Sequence, residues 1–308
     1  MNKQGTNPMK RRHARKTLMV ALAAVLALSL SLLATACAKD EGASSEKTIT
    51  IGWIPWDEDV SVTYLWKGIL ENKGYKVNLV QADAGPVFEG LSSGDIDLFL
   101  DAWLPVTHSD YWEQYGDGLE KASLWYDEAQ LTWAVPSYVD VDSIEDLKGK
   151  EDLFNSQIIG IEPGAGLTRI SSESVIPGYG LENYSLVEGS TTAMLAELDR
   201  SISQEEPVLV TLWKPHWAYN SYDLKDLEDP QGLLGGAENI YAVGRGGFSE
   251  SYPEVAEWMS RFKLSDAQLA ELEDLVVNKY GTGSEAQAIS EWLSNSKNQA
   301  LVNEWLGE

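Results

Sequence analysis

Cysteine is nearly absent from these 308 residues: the chain has one, Cys37. No internal disulfide can form, so the fold must be held by burial alone, which a chain of this length can manage. Histidine is scarce as well, with three residues, His13, His108 and His216. So few nitrogen and sulfur ligands leave nothing from which to build a zinc centre, and no cofactor is expected. Basic residues are outnumbered, 23 Lys and Arg against 48 Asp and Glu, for a formal net charge of −25. That deficit excludes nucleic acid as a partner, because phosphate binding needs basic patches. A Gly-x-Ser-x-Gly elbow is missing, which argues against a Ser-His-Asp hydrolase, and no internal repeat recurs at a fixed period.

The N-terminus carries what basic charge there is in one block. Lys3, Lys10, Arg11, Arg12, Arg15 and Lys16 precede an apolar run from Leu18 to Leu33, then Ala34-Thr35-Ala36-Cys37. This is the pattern of a secretory signal peptide over residues 1–36. The ATAC stretch resembles the bacterial lipoprotein box, with Ala34 where leucine is usual, so Cys37 is the expected lipidation site. Taking the six basic residues of the leader from the 23 leaves 17 against 48 acids, a net of −31. Such a surface stays soluble in salt, where screening removes most self-repulsion, and suggests a saline habitat. No later apolar segment is long enough to span a bilayer, so the expected state is exported and anchored at the outer face through the lipid only.

About 270 residues remain, which suggests two lobes. Residues 38–46 are small and polar, a tether. From Thr48 strands and helices alternate: TITIGWI, an amphipathic helix over 60–73 ended by Gly74, KVNLVQA, PVFEGLSSG as a helix, and IDLFLDAW. A helix after Thr107 and the strands LTWAVPSYV and QIIGIEPG follow. Helices from Leu167 and Thr191, the strands PVLVTLW and NIYAVGR, and a helical tail after Glu254 complete the pass. This predicts a largely parallel, doubly wound sheet, in which ligands bind beyond the carboxyl ends of the strands.

Three strand exits share Trp-x-Pro: Trp53-Ile54-Pro55, Trp103-Leu104-Pro105 and Trp213-Lys214-Pro215. Proline closes the strand and stiffens the turn that holds the ring. Trp66, Trp133, Trp258, Trp292 and Trp305 sit in periodic apolar patterns and are expected in the core. Rings at exits stand on rims, and Trp56 and Trp217 lie beside them. Converging indoles suit a bulky cation that cannot donate hydrogen bonds, a quaternary ammonium above all. A seat for an anion is offered by Glu162-Pro163-Gly164-Ala165-Gly166-Leu167, where a glycine-rich turn enters a helix.

With WIPWDE, AGPVFEGLSSGDID, DAWLPVTH, SIEDLKGK, IIGIEPGAGL and TLWKPHW quoted together, the chain resembles the glycine betaine binding proteins of ABC-type osmoprotectant importers. The resemblance implies a two-lobed periplasmic-binding-protein fold (type II-like), each lobe a mostly parallel sheet flanked by helices, with the ligand cleft between. It implies a cage of Trp56, Trp103 and Trp213, with Trp53 and Trp217 as competing choices. A ligand carboxylate would be met by the Gly166 and Leu167 N–H groups and the His108 side chain. The expected division is 47–136 for the first part of lobe one, 137–240 for lobe two, and 241–308 for the return crossing and closing helices. A monomer that hands a small zwitterion, glycine betaine or proline betaine, to a membrane permease is the expected function.

Two other readings compete. Choline or carnitine could be the ligand, though choline has no carboxylate for the Gly166 seat. A carbohydrate-active enzyme would need two carboxylates across a cleft. Asp57, Glu58, Asp59 and Asp101 are near the exits, but in so acidic a chain most of them are expected to be solvated surface charge.

Overall fold

The computed structural model describes residues 47–308. The expected leader, Cys37 and the tether lie outside the described residues.

Strand β1 (Thr48–Trp53) opens the fold and leads into helix α1 (Asp57–Asn72). Three acids, Asp57, Glu58 and Asp59, occupy the first turn, where the helix dipole favours them. The buried stripe Val62, Leu65, Trp66, Ile69 and Leu70 turns to the core, and Gly74 follows the helix at φ 84°, a left-handed position suited to glycine. Then come β2 (Lys76–Gln81), α2 (Ala84–Ser93), β3 (Leu98–Leu104) and α3 (Ser109–Tyr115). The strand β4 (Glu120–Pro136) is unusually long. Beyond it lie β5 (Gln157–Ile159), α4 (Gly166–Ile170), β6 (Ser185–Val187), α5 (Thr191–Ser203), β7 (Val210–Lys214), β8 (Leu224–Asp226) and β9 (Glu238–Gly244). Helices α6 (Pro253–Arg261), α7 (Asp266–Glu273), α8 (Glu285–Ser294) and α9 (Ser296–Leu306) finish the chain.

The nine strands run in the order β2-β1-β3-β9-β4-β7-β5-β6, with β8 on β4. Within each half the strands are parallel: β1 with β2 and β3, and β5 with β6 and β7. The crossing strands are antiparallel, β9 to both β3 and β4, and β4 to β7 and β8. The sheet is therefore parallel in its lobes and antiparallel at its centre, not parallel throughout. At about 3.4 Å per residue a 17-residue strand outruns any single sheet, and β4 serves two. Its partner changes from β9 at Ala129 to β7 at Gln130.

Trp66 is fully buried, edge-on to Phe262 at 5.3 Å and stacked on Trp305 at 6.1 Å, which ties α1 to the closing helices. Trp133, Trp292 and Trp305 are buried as expected. Trp258 is not: it lies half-buried on α6, packed edge-on to Tyr75. Trp66→Ala should lower the free energy of unfolding by about 3–5 kcal/mol, read from urea denaturation, and a loss below about 1 kcal/mol would show that this stack does not hold α1 in place.

Candidate functional site

Trp56, Trp103 and Trp213 converge. Together with Glu58, Thr107, Leu131, Ile161, Ala165, Gly166 and Leu167 they line one narrow cavity. The three rings are 5%, 3% and 3% exposed, so the cavity is closed over by both lobes. Trp53 and Trp217, the competing choices, stand outside its wall. Trp53 packs edge-on to Tyr64, and Trp217 packs against His216 and Tyr222.

Each ring is fixed through its indole N–H. Trp103 Nε1 donates to Asp101 Oδ1 at 2.9 Å. Trp213 Nε1 donates across the cleft to Glu58 Oε2 at 2.9 Å, and Trp56 Nε1 donates across it to Glu162 Oε2 at 3.3 Å. Trp217 Nε1 donates to Asp57. Glu58, Asp59 and Asp101 are therefore buried, which corrects the expectation of solvated surface charge. An indole N–H withdrawn from water needs an acceptor, and these acids supply it. Asp59 serves the backbone instead, accepting from Ile54 N at 2.7 Å and Thr63 Oγ1 at 3.0 Å, which pins the WIPW turn. Burial, with the Asp101 charge next, raises the Glu58 and Asp59 carboxyls well above their usual range. Burial lifts Asp101 to about 7.

The DAWLPVTH loop folds back on itself. His108 N donates to Trp103 O at 3.0 Å, and Trp103 N donates to His108 Nδ1 at 3.0 Å. His108 is fully buried and stacks on Trp56, centroids 5.6 Å apart and planes 11° from parallel. It thus stands behind a ring of the cavity, not in the wall itself. Burial, reinforced by the Arg169 charge, pushes its pKa down to about 3, so the ring is neutral. Because Nδ1 accepts, the proton sits on Nε2, and Nε2 is buried with no hydrogen-bond partner. His216 is a structural group by contrast: its Nδ1 accepts from Ala218 N at 3.0 Å, and its Nε2 lies 3.3 Å from Asp57.

Sequence reasoning missed two anchors. Glu238, where β9 begins, accepts from Val106 N at 2.6 Å, from Thr107 N at 2.9 Å and from the Thr107 hydroxyl. Glu162 accepts from Thr191 N at 2.8 Å and Thr191 Oγ1 at 2.9 Å besides Trp56. Glu238 is a single acid in an acidic chain that no local pattern marks, and Glu162 lies in the quoted glycine-rich turn, where nothing in the sequence gives it the indole and Thr191 as partners.

Gly166 and Leu167 begin α4, so their N–H groups have no partner within the helix. A Cβ on Gly166 would collide with the Thr107 carbonyl of the facing lobe. Arg169 Nη2 donates to that same carbonyl at 3.2 Å and pairs with Asp110 at 3.4 Å, while Tyr111 Oη donates to Gly164 O at 2.8 Å. The two lobes meet here at backbone distance.

Two α/β lobes joined by crossing strands and closed over an aromatic cavity make this a binding protein of the periplasmic type. The chain belongs to the family described as the substrate binding domain of ABC-type glycine betaine transport systems, whose model matches residues 47–295. That is a family of transport proteins, not of enzymes. The glycine betaine/carnitine transport binding protein of Listeria monocytogenes is 34% identical over 161 residues, 51% of this chain and 52% of that one, so the chain spans about half the length of the curated relative it matches. Among solved structures, the glycine/betaine/L-proline-binding protein of Borrelia burgdorferi superposes with a TM-score of 0.79 at 33% identity, over 84% of this chain and 96% of that one. Lactococcal OpuAC, closed and complexed with glycine betaine, gives 0.75 at 30% identity, over 84% and 99%.

Gly166→Ala should hold the lobes apart, because the added methyl group meets a backbone oxygen that cannot swing away. Small-angle scattering should show a larger radius of gyration than wild type, with little change in melting temperature. Identical scattering curves would mean that the Thr107 loop yields to the methyl.

Proposed function

We propose that the chain captures glycine betaine, or a related betaine such as proline betaine, between its lobes and delivers it to an ABC permease. The observation that carries this reading is the convergence of Trp56, Trp103 and Trp213, from both lobes, on one cavity. A trimethylammonium group spreads its charge over methyls, packs against indole faces and needs no hydrogen-bond acceptor. At about 1–2 kcal/mol per desolvated contact, three rings contribute roughly 3–6 kcal/mol. Micromolar affinity requires about 8 kcal/mol, so a second group on the ligand must add to the rings. The ligand carboxylate is that group, met by the Gly166 and Leu167 N–H groups, while His108 backs Trp56 with its Nε2–H unpartnered. Since both lobes contribute, ligand favours the closed form, which the permease then recognises. Export by the leader and lipidation at Cys37 would hold the protein at the outer face of the membrane, as a monomer.

Choline and carnitine are the second reading, and choline differs in lacking a carboxylate. Calorimetric titration of the exported protein should give tighter binding for glycine betaine than for choline. Trp103→Ala should weaken betaine at least tenfold, about 1.4 kcal/mol, and an unchanged isotherm would remove that ring from the site. His108→Ala should weaken betaine and choline alike, since the histidine backs Trp56. A larger loss for betaine would show that its Nε2–H reaches the ligand carboxylate.

A further inference from the structure

Four indole N–H groups at the strand exits end on carboxylates, and of those four acids only Glu58 lines the cavity. It is 1% exposed. Asp101 on β3 and Glu273 on α7 face it, and Asp57 and Asp59 flank it on its own helix. The base beside this group is His216, against Asp57. None of the ion pairs among the described residues involves Glu58, Asp101 or Glu273. Two of the oxygens, Asp101 Oδ2 and Glu273 Oε1, are buried with no hydrogen-bond partner. A charged oxygen left so is costly, and the group favours its protonated form unless a cation stands beside it.

We propose that Glu58 is the charge-selecting residue of the cavity: its carboxylate, held by Trp213, separates a quaternary ammonium from an uncharged body of the same shape, and an arriving cation displaces a proton from the acids behind the rings. This deepens the reading of the cavity as a betaine site and rests on it. The indole faces already favour trimethylammonium over an uncharged tert-butyl group through their quadrupoles, and a carboxylate beside them adds a second preference of the same sign. A carboxylate in a water-excluded wall acts on the charge itself. The direction of the proton follows. A bound cation favours ionised Glu58, so the complex holds fewer protons than the free protein, and affinity rises with pH. Burial lifts Asp101 to about 7 and raises Glu58 and Glu273 well above the ordinary carboxylate range. His108, lowered to about 3 by burial, stays neutral throughout.

The test is calorimetric titration of wild type and Glu58→Gln with glycine betaine and with 3,3-dimethylbutanoate, which replaces the nitrogen by carbon and keeps the carboxylate. Glutamine still accepts the Trp213 N–H, so the ring keeps its anchor. The preference for betaine over the isostere should narrow at least about tenfold in the variant, chiefly through weaker betaine binding. Equal losses for both compounds would overturn the proposal and leave Glu58 as a support for Trp213. Titrating wild type in buffers of different ionisation enthalpy at about pH 7 should show net proton release with betaine and less with the isostere. This second measurement decides the matter if the variant fails to fold: no proton release overturns the proposal. A wild-type protein that binds neither compound overturns the betaine reading itself, and this one with it.

Discussion

A tryptophan at a strand exit offers a flat apolar face and carries one N–H that must find an acceptor once water is shut out. The rest of this site follows from how that requirement is met. Trp103 uses an acid of its own strand, Asp101, and so is set before the lobes meet. Trp56 and Trp213 use acids of the opposite lobe, Glu162 and Glu58. Their bonds exist only when the cleft is shut. Closing the lobes and completing the three-ring wall are thus coupled, through the two rings whose acceptors lie across the cleft.

The loop after β3 carries this coupling to the centre of the molecule. Val106 and Thr107 are held by Glu238 at the start of β9, one of the two strands that cross between lobes. The Thr107 carbonyl in turn meets Gly166 and Arg169 from the facing lobe. A hinge strand, a cavity-lining loop and the interlobe contact share one short stretch of backbone. Glycine at 166 is what lets that backbone approach.

Much of this was legible in the sequence because it is written in side chains with few uses. Trp-x-Pro at three strand exits led to the cavity, although at the first exit the lining ring is Trp56, after the proline, and not Trp53. The stripe Val62, Leu65, Trp66, Ile69 and Leu70 marked α1, and Gly74 marked its end. The first half of β4 was not legible. Its register against β9 shifts between Lys121 and Ser123, between Leu124 and Tyr126, and between Tyr126 and Ala129. Each shift breaks the alternation by which a strand is recognised. The buried acids were illegible for a different reason. Among 48 Asp and Glu, composition makes every carboxylate read as surface, and only a partner from a distant segment distinguishes Glu58 or Glu238. Trp258 failed in the reverse sense, since helical periodicity places a residue on a face without saying how fully that face is covered.

The same acids resolve an apparent conflict between a strongly negative chain and a zwitterion as its proposed ligand. A zwitterion has no net charge, so the long-range field of the surface neither draws it in nor repels it appreciably, and salt screens what remains. Discrimination must then be made locally, by fixed charges placed within a few ångströms of each end of the ligand dipole. Glu58 and the start of α4 both line the cavity, the one offering a carboxylate and the other backbone N–H donors. A ligand that reversed its ends would set its carboxylate against Glu58 and its cation against N–H groups, losing both interactions at once. On the proposed betaine reading, orientation is set by the cavity wall, and the acidity of the rest of the surface is free to answer to solubility alone.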